Sequence, residues 1–135
     1  MTTILIVDDS PTIRRMVRAS LDVVPRASFH EASTGLQAIE SLVVTPADLM
    51  VLDLNMPDMH GLDVLKFVRA QDSLKTLPVV VLTTRGDEAS RQAALAAGAT
   101  VFLTKPFSPA GLARDVCALL GHEGPAPAAS RAGGR

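Results

Sequence analysis

The stretch Val51-Leu-Asp-Leu-Asn-Met-Pro-Asp-Met-His-Gly61 decides how this chain is organised. Its first part is apolar, and its second part carries the proline and glycine of a turn. It therefore predicts a buried strand that delivers one carboxylate, Asp53, to the start of a loop. A strand that ends in a solvated aspartate is common by itself. The role of Asp53 depends on which other residues reach the same place.

Length and composition indicate one globular, intracellular domain. The chain has 135 residues, 47% of them hydrophobic, which fits a single core large enough to fold alone. Thirteen Lys and Arg residues against fourteen Asp and Glu residues give a formal charge of -1, so we expect no direct binding to nucleic acid or to a membrane. We find no signal peptide and no membrane-spanning run, and the single cysteine, Cys117, cannot form an internal disulfide. We expect a cytoplasmic protein.

Short apolar runs alternate with longer amphipathic windows along the chain. The runs have the length of strands, and the windows repeat their apolar residues at helical spacing, among them Met16, Leu36 and Val43. Two windows begin with a serine followed by proline, the usual start of a capped helix. The predicted strands are residues 4–7, 27–32, 48–54, 78–82 and 100–104, and the predicted helices are residues 11–21, 36–43, 61–70, 88–97 and 109–120.

This alternation predicts an α/β fold, a doubly wound five-stranded parallel sheet covered by five helices. We assign residues 1–121 to the domain, and we predict that residues 122–135, rich in Gly, Pro and Ala, form a disordered tail or linker stub. Ligands of such sheets bind outside the carboxyl ends of the strands. The polar residues expected at that edge are Asp8, Asp9, Asp53, Thr83 and Lys105.

The chemistry of this predicted edge points to phosphoryl transfer. Asp8, Asp9 and Asp53 would repel one another, and a divalent cation would resolve that repulsion. Oxygen ligands without His or Cys favour Mg²⁺, with Mn²⁺ as a substitute, and Mg²⁺ usually shares its site with a phosphate oxygen. Asp53 could then attack phosphorus to form an aspartyl phosphate, whose charge the metal, Lys105 and Thr83 would neutralise.

These residues together resemble the CheY-like receiver domain of two-component response regulators, and the likeness runs from about Ile4 to Leu120. The resemblance implies the strand order 2-1-3-4-5. It also implies that Asp53 is the phospho-acceptor, and that Asp9, Asp53 and the backbone carbonyl of Asn55 bind the metal directly while Asp8 binds through water. The matching motifs are Asp8-Asp9, Asp53-Leu-Asn-Met-Pro57 with Gly61, Thr83, and Lys105-Pro106-Phe107, whose Lys-Pro bond is cis in the family.

The same resemblance implies a switch and a set of partners. Thr83 and Phe102 would move together on phosphorylation, although Phe102 lacks the hydroxyl of the tyrosine common in chemotaxis members. The phosphoryl donor would be a sensor histidine kinase or histidine phosphotransfer protein. Arg14, Arg15 and Met16 are its candidate docking site, and a downstream protein would bind the face of helix four, strand five and helix five. We expect Mg²⁺-dependent self-phosphorylation and autodephosphorylation, but not a classical enzyme.

Several alternatives stay open at this point. We expect a monomeric, stand-alone regulator with chemotaxis-like or phosphorelay output, and the alternative is a receiver excised from a larger response regulator or hybrid kinase. A phosphatase of the haloacid dehalogenase type is disfavoured, because its second acid would stand where this chain has Asn55. A nucleotide- or flavin-binding domain would need a glycine-rich loop after strand one, and Asp8-Asp9-Ser-Pro occupies that position. His30, His60 and His122 lack metal-ligand spacing.

Overall fold

The computed structural model describes residues 1–122, so the predicted tail lies outside the described residues except for His122. Five strands alternate with five α-helices, and a short 3-10 helix, Leu21–Val23, follows the first of them. The elements are β1 (Thr2–Val7), α1 (Pro11–Ser20), β2 (Ala27–Ala32), α2 (Gly35–Val44), β3 (Leu49–Leu52), α3 (Gly61–Ala70), β4 (Val79–Thr83), α4 (Glu88–Ala96), β5 (Val101–Thr104) and α5 (Pro109–Leu119).

All strand pairs are parallel, and the sheet order is β2-β1-β3-β4-β5. The predicted fold class and strand order are therefore confirmed. From β1 the chain moves first to one side of the sheet, to β2, and then returns past β1 to build the other side. The order thus reverses between β1 and β3, which is where sheets of this kind form their binding crevice.

The core fills both faces of the sheet. Strands β1, β3 and β4 are buried along most or all of their length, as parallel strands with helices on both sides require. Alternate residues point to opposite faces: Leu5 and Val7 pack with α2, α3 and α4, while Ile4 and Ile6 pack with α1 and α5. The two helix layers hold the ends of the central strands in fixed positions.

Helix starts follow the predicted caps. Ser10 accepts a hydrogen bond from the amide of Ile13, and Ser108 accepts one from the amide of Gly111, each ahead of a proline at the first helical position. Strand β3 is shorter than predicted. It ends at Leu52 because the chain turns back towards α3, so Asp53 follows the strand instead of lying within it.

Three of the apolar residues at helical spacing lie outside the buried stripes of α1 and α2. Met16, Leu36 and Val43 are 45%, 56% and 71% exposed. The buried stripe of each helix is narrower than the sequence suggested: α1 buries Val17, and α2 buries small or single apolar residues on one side only. Helix α4 is held lightly, as expected from its composition, because Ala94 is its buried residue. Within residues 1–122, no helix has the length and apolar character needed to cross a membrane.

Candidate functional site

The polar residues predicted to share one edge of the sheet do meet there. Asp8 follows β1, Asp53 follows β3, Thr83 is the last residue of β4, and Lys105 follows β5. Asp8 and Asp53 are each 3% exposed, and Thr83 is fully buried, which is unusual for such polar side chains. Since parallel strands all end at the same edge, the fold alone explains the convergence.

A compact acidic cluster forms the centre of the site. One carboxylate oxygen from each of Asp8, Asp9 and Asp53 lies within 4.8 Å of the other two. Asp8 and Asp53 are buried, whereas Asp9 is exposed at the mouth. Three hard oxygen donors at this spacing, with no nitrogen or sulfur ligand among them, fit Mg²⁺ or Mn²⁺.

Lys105 places its ammonium group between the two buried acids. Its Nζ lies 2.7 Å from Oδ2 of Asp8 and 3.4 Å from Oδ1 of Asp53. The peptide bond that follows, Lys105–Pro106, is cis. The lysine side chain is 12% exposed, so this ion pair is shielded from water. A single cation held against two buried acids leaves a negative site that can accept a further positive ion.

Burial is the main influence on the pKa of the Asp53 carboxyl group. Desolvation raises its pKa above the ordinary value, the neighbouring Asp8 carboxylate raises it further, and Lys105 partly offsets both effects. Ionisation of the Asp53 carboxyl group therefore has a free-energy cost in the folded protein. A divalent cation or a covalent modification of this oxygen would relieve that cost, which is a feature typical of functional acids.

Thr83 has a fixed hydroxyl orientation. Its Oγ1 accepts a hydrogen bond from the side-chain amide of Asn55 at 3.2 Å and a longer one from the backbone amide of Arg85 at 3.4 Å. With both bonds accepted, the hydroxyl proton is left to donate. The side-chain bond from Asn55 was missed by the sequence reasoning, which considered only the carbonyl of this residue, and no sequence pattern signals it.

Phe102 lies in β5, the edge strand next to β4. It is partly buried and packs against the core on the α2, α3 and α4 face. In the strand register Phe102 stands opposite Val81, and Thr104 stands opposite Thr83. The two predicted switch residues are therefore on neighbouring strands, two positions apart in register.

The turn after Asp53 depends on Gly61. A Cβ at this position would lie 2.5 Å from the carbonyl oxygen of Asp53 and 2.6 Å from Cα of Leu54. The amide of Gly61 also donates to the carbonyl of Leu54 at 2.8 Å. Only glycine allows α3 to start this close to the acidic cluster.

The same loop is tied to α2 by Asp58, a contact that the sequence reasoning missed. The carboxylate of Asp58 accepts from the amides of Gly35 at 2.9 Å and Leu36 at 3.1 Å. These two bonds hold the pKa of Asp58 below its usual value. Met59 packs directly on Gly35. The loop that carries the acidic site is thus fixed at both ends, by α2 and by the start of α3.

Arg14, one of the three residues of the predicted docking site, makes two hydrogen bonds that the sequence does not signal directly. Its Nη1 donates to the carbonyl of Asp8 at 2.6 Å, and its Nε donates to Glu31 at 2.8 Å. Arg15 and Met16 remain exposed. An indirect signal was available, because Arg14 precedes the buried Val17 by three positions and therefore borders the inward face of α1.

Comparison with known proteins agrees with this geometry. A family model described as "Response regulator receiver domain" matches residues 4–116. The chain is 40% identical over 120 residues to "Chemotaxis protein CheY1" of Helicobacter pylori strain J99, covering 87% of this chain and 96% of that protein. A crystal structure of a putative response regulator from Chloroflexus aurantiacus matches with a TM-score of 0.84 and 32% identity, covering 90% of this chain and 98% of that one. The Mn²⁺-bound form of response regulator Rcp1 matches with a TM-score of 0.74 and 29% identity, covering 90% and 91%.

The fold and the acidic site define a phosphorylation-controlled signalling module whose members bind a divalent metal at an aspartate cluster. More particularly, the chain belongs to the receiver domains of two-component response regulators. Proteins of this family act as signalling switches and not as classical enzymes, and they interact with histidine kinases and with downstream targets.

Proposed function

We propose that Asp53 accepts a phosphoryl group from a phosphohistidine and that the chain signals through the phosphorylated form. The observation that carries this proposal is the position of Asp53 beside Asp8, with Lys105 Nζ within 3.4 Å of both carboxylates. Asp8 shares this burial and this lysine, but both of its carboxylate oxygens already accept hydrogen bonds, one from the amide of Ser10 at 2.9 Å and one from Lys105 at 2.7 Å. Asp53 also follows β3 at the crevice where the strand order reverses.

The metal ligands in this proposal are Asp9, Asp53 and the backbone carbonyl of Asn55, with Asp8 acting through water. The spacing of the carboxylates supports such a set. Mg²⁺ is the proposed ion, and Mn²⁺ is an acceptable substitute because it has a similar preference for oxygen. When bound, the ion neutralises charge on the carboxylates and on the incoming phosphoryl oxygens.

The protein groups contribute by position and charge. An oxygen of Asp53 forms the new bond to phosphorus, the bond from phosphorus to the donor nitrogen breaks, and its electron pair remains with the donor imidazole. The Lys105 ammonium would stabilise negative charge on the transferring group. The Thr83 hydroxyl, with its acceptor positions used by Asn55 and Arg85, would donate its proton to a phosphoryl oxygen. The same machinery would support self-phosphorylation by small acyl phosphates and slow autodephosphorylation.

The output proposal rests on the light anchoring of α4. Donation by Thr83 to a phosphoryl group would draw its side chain inward, and Phe102 would repack beside it. Because Ala94 is the buried residue of α4, this helix can adjust at little cost. We therefore assign the downstream protein to the face formed by α4, β5 and α5. We assign the kinase or phosphotransfer contacts to Arg14, Arg15 and Met16 of α1, of which Arg15 and Met16 are exposed.

The wider proposal is a monomeric, cytoplasmic, stand-alone regulator with chemotaxis-like or phosphorelay output and no direct contact with nucleic acid or membrane. The coverage of CheY1 over nearly its whole length supports it. The near-neutral charge also gives no general attraction to nucleic acid. Size-exclusion chromatography with and without phosphorylation tests the oligomeric part of this proposal.

The central test is phosphate-affinity electrophoresis after incubation with Mg²⁺ and a small acyl phosphate. The wild-type chain should give a shifted band that EDTA prevents, and Asp53→Asn should give none. Asp72→Asn is the matched control, because the side chain of Asp72 is 98% exposed and far in sequence from the acidic cluster. A shift that persists in Asp53→Asn would place the acceptor elsewhere, and turnover of unrelated phosphoesters would instead indicate a phosphatase.

A further inference from the structure

Arg14 makes a contact with the acidic site that its position on a surface helix does not suggest. Its side chain is 17% exposed, and its guanidinium bonds two elements at once. One nitrogen donates to the carbonyl of Asp8 at 2.6 Å, and another donates to Glu31 in β2 at 2.8 Å. A guanidinium suits this task because its donors have a fixed planar geometry.

Arg14 bonds the carbonyl of Asp8, whereas other residues bond the amide and the carboxylate of Asp8. The amide of Asp8 donates to Ala32, one carboxylate oxygen accepts from the amide of Ser10, and the other accepts from Lys105. Among the hydrogen bonds of residues 1–122, the one that reaches the Asp8 carbonyl comes from Arg14.

This carbonyl matters because it shares a peptide plane with the amide of Asp9. The six atoms of a peptide unit are coplanar, so fixing the Asp8 carbonyl also fixes the direction in which the Asp9 backbone leaves. Asp9 is exposed, and its carboxylate makes no hydrogen bond or ion pair with the described residues. Its approach to Asp53 therefore depends on the backbone that carries it.

Glu31, which is part of β2, holds the guanidinium of Arg14 in place. The glutamate accepts from Arg14 and, at 3.2 Å, from Arg18, whose guanidinium also lies over the ring of Phe29. In the sheet register Glu31 stands opposite Ile6, one residue before the pair formed by Val7 and Ala32 at the end of the strands. The two hydrogen bonds of Arg14, to Glu31 and to the Asp8 carbonyl, thus connect the end of β2 to the turn after β1.

We propose that Arg14 is a positioning residue for the divalent cation, holding the Asp8–Asp9 peptide so that the Asp9 carboxylate is already aimed at the metal. This inference rests on the proposed metal-dependent function of the same cluster. Outer contacts that orient metal ligands commonly change metal affinity by about 10- to 100-fold. Because the Arg14 contact acts through a backbone plane and not on a ligand atom, we expect the lower end of that range.

Electrostatics alone gives the opposite expectation. Arg14 is a cation near three carboxylates, so its removal should strengthen the binding of Mn²⁺ if charge were its only influence. Positioning requires that removal weakens the binding. The direction in which the Kd of Mn²⁺ changes therefore separates the two roles. A loss of stability does not by itself change the Mn²⁺ affinity of molecules that remain folded.

The experiment measures the Kd of Mn²⁺ from the electron paramagnetic resonance signal of the free ion, which needs no aromatic probe. We expect Arg14→Met to weaken Mn²⁺ binding by about 10-fold. Arg18→Met is the matched control: it also removes a cation bonded to Glu31, but it leaves the Asp8 carbonyl bonded, so its Kd should change by less than about 2-fold. Far-UV circular dichroism in EDTA selects folded samples.

Arg14→Lys gives a second measurement in which the charge is conserved. Lysine cannot bond Asp8 and Glu31 simultaneously with the geometry of a guanidinium, so binding should still be weaker than in the wild type, by about 3-fold. Unchanged or tighter binding by Arg14→Met and Arg14→Lys would overturn the positioning role while leaving the metal site intact. A wild-type chain that does not bind Mn²⁺ would overturn the proposed function, and this inference with it.

Discussion

Replacing Gly61 with alanine should damage both the stability of the domain and the acidic site. The new methyl group would lie 2.5 Å from the carbonyl oxygen of Asp53 and 2.6 Å from Cα of Leu54. Both are backbone atoms, so no side-chain rotation can remove the overlap. The start of α3 and the loop after β3 would have to move apart by roughly 0.9 Å to reach an ordinary contact of 3.4 Å.

The size of the effect follows from two opposing contributions. Overpacking of a well-filled core costs about 1–3 kcal/mol, and contacts with rigid backbone belong at the upper end of that range. Alanine gains up to about 1 kcal/mol over glycine in a helix, although less at the first helical residue. The net loss in the free energy of unfolding is therefore about 2 kcal/mol, equivalent to a decrease of roughly 1 M in the urea midpoint.

Urea unfolding followed by far-UV circular dichroism measures this loss, since the chain contains neither Trp nor Tyr. The rate of Asp53 labelling by an acyl phosphate should also fall, by about 10- to 100-fold, because a displacement near 1 Å is large for positioned reactants. Gly111→Ala in α5 is the control: its methyl would lie at an ordinary 3.4 Å from Ser108, so stability should rise by about 0.5 kcal/mol. An unchanged midpoint and labelling rate in Gly61→Ala would refute the close approach of α3 to the site.

Two further changes test side-chain bonds made by residues that are not members of the acidic cluster. Arg69 donates twice to the carbonyl of Gly98 and once to that of Lys75, so Arg69→Met should lower the free energy of unfolding by about 2 kcal/mol, measured by urea unfolding; a loss below about 0.5 kcal/mol would contradict this role. The hydrogen bond from Arg14 lowers the pKa of Glu31, so the stability it adds is present above the ordinary carboxyl pKa and is lost as the pH falls through the lowered value. Glu31→Gln should therefore be less stable than the wild type by about 0.5 kcal/mol at pH 7, after allowance for solvent screening, and this difference should vanish in acid; a constant difference across pH would exclude the ion pair as its source.

The fold was predictable because its signals are local. The Ser-Pro sequences at Ser10 and Ser108 mark helix starts, and the apolar run through Val51 marks a buried central strand. Parallel strands then place their ends at one edge, which is why Asp53 and Lys105, distant in sequence, could be expected to meet. Boundaries were less accurate, since β3 ends where the tertiary turn begins and not where the apolar run ends.

The contacts inside the site could not be predicted in the same way. Asn55 and Asp58 lie in the loop after β3. The hydrogen bond from Asn55 to Thr83 and the bonds that Asp58 accepts from α2 depend on the path of that loop, which tertiary contacts determine. The hydrogen bonds of Arg14 were not foreseen either, because a charged residue on an amphipathic helix usually faces water, whereas Arg14 donates to the carbonyl of Asp8 and the carboxylate of Glu31. Tertiary hydrogen bonds, and not the periodicity of the sequence, determine the partners of these side chains.

The ion pair between Lys105 and Asp8 joins residues that are 97 positions apart. During translation Asp8 and Asp53 emerge from the ribosome long before β5 has been made, and the lysine arrives with nearly the last element of the domain. A nascent chain therefore carries the acids without their cation until synthesis of the domain is almost finished. The buried acids therefore gain their lysine only when the domain is nearly complete, so the full arrangement of the site is a property of the finished domain and not of its first half.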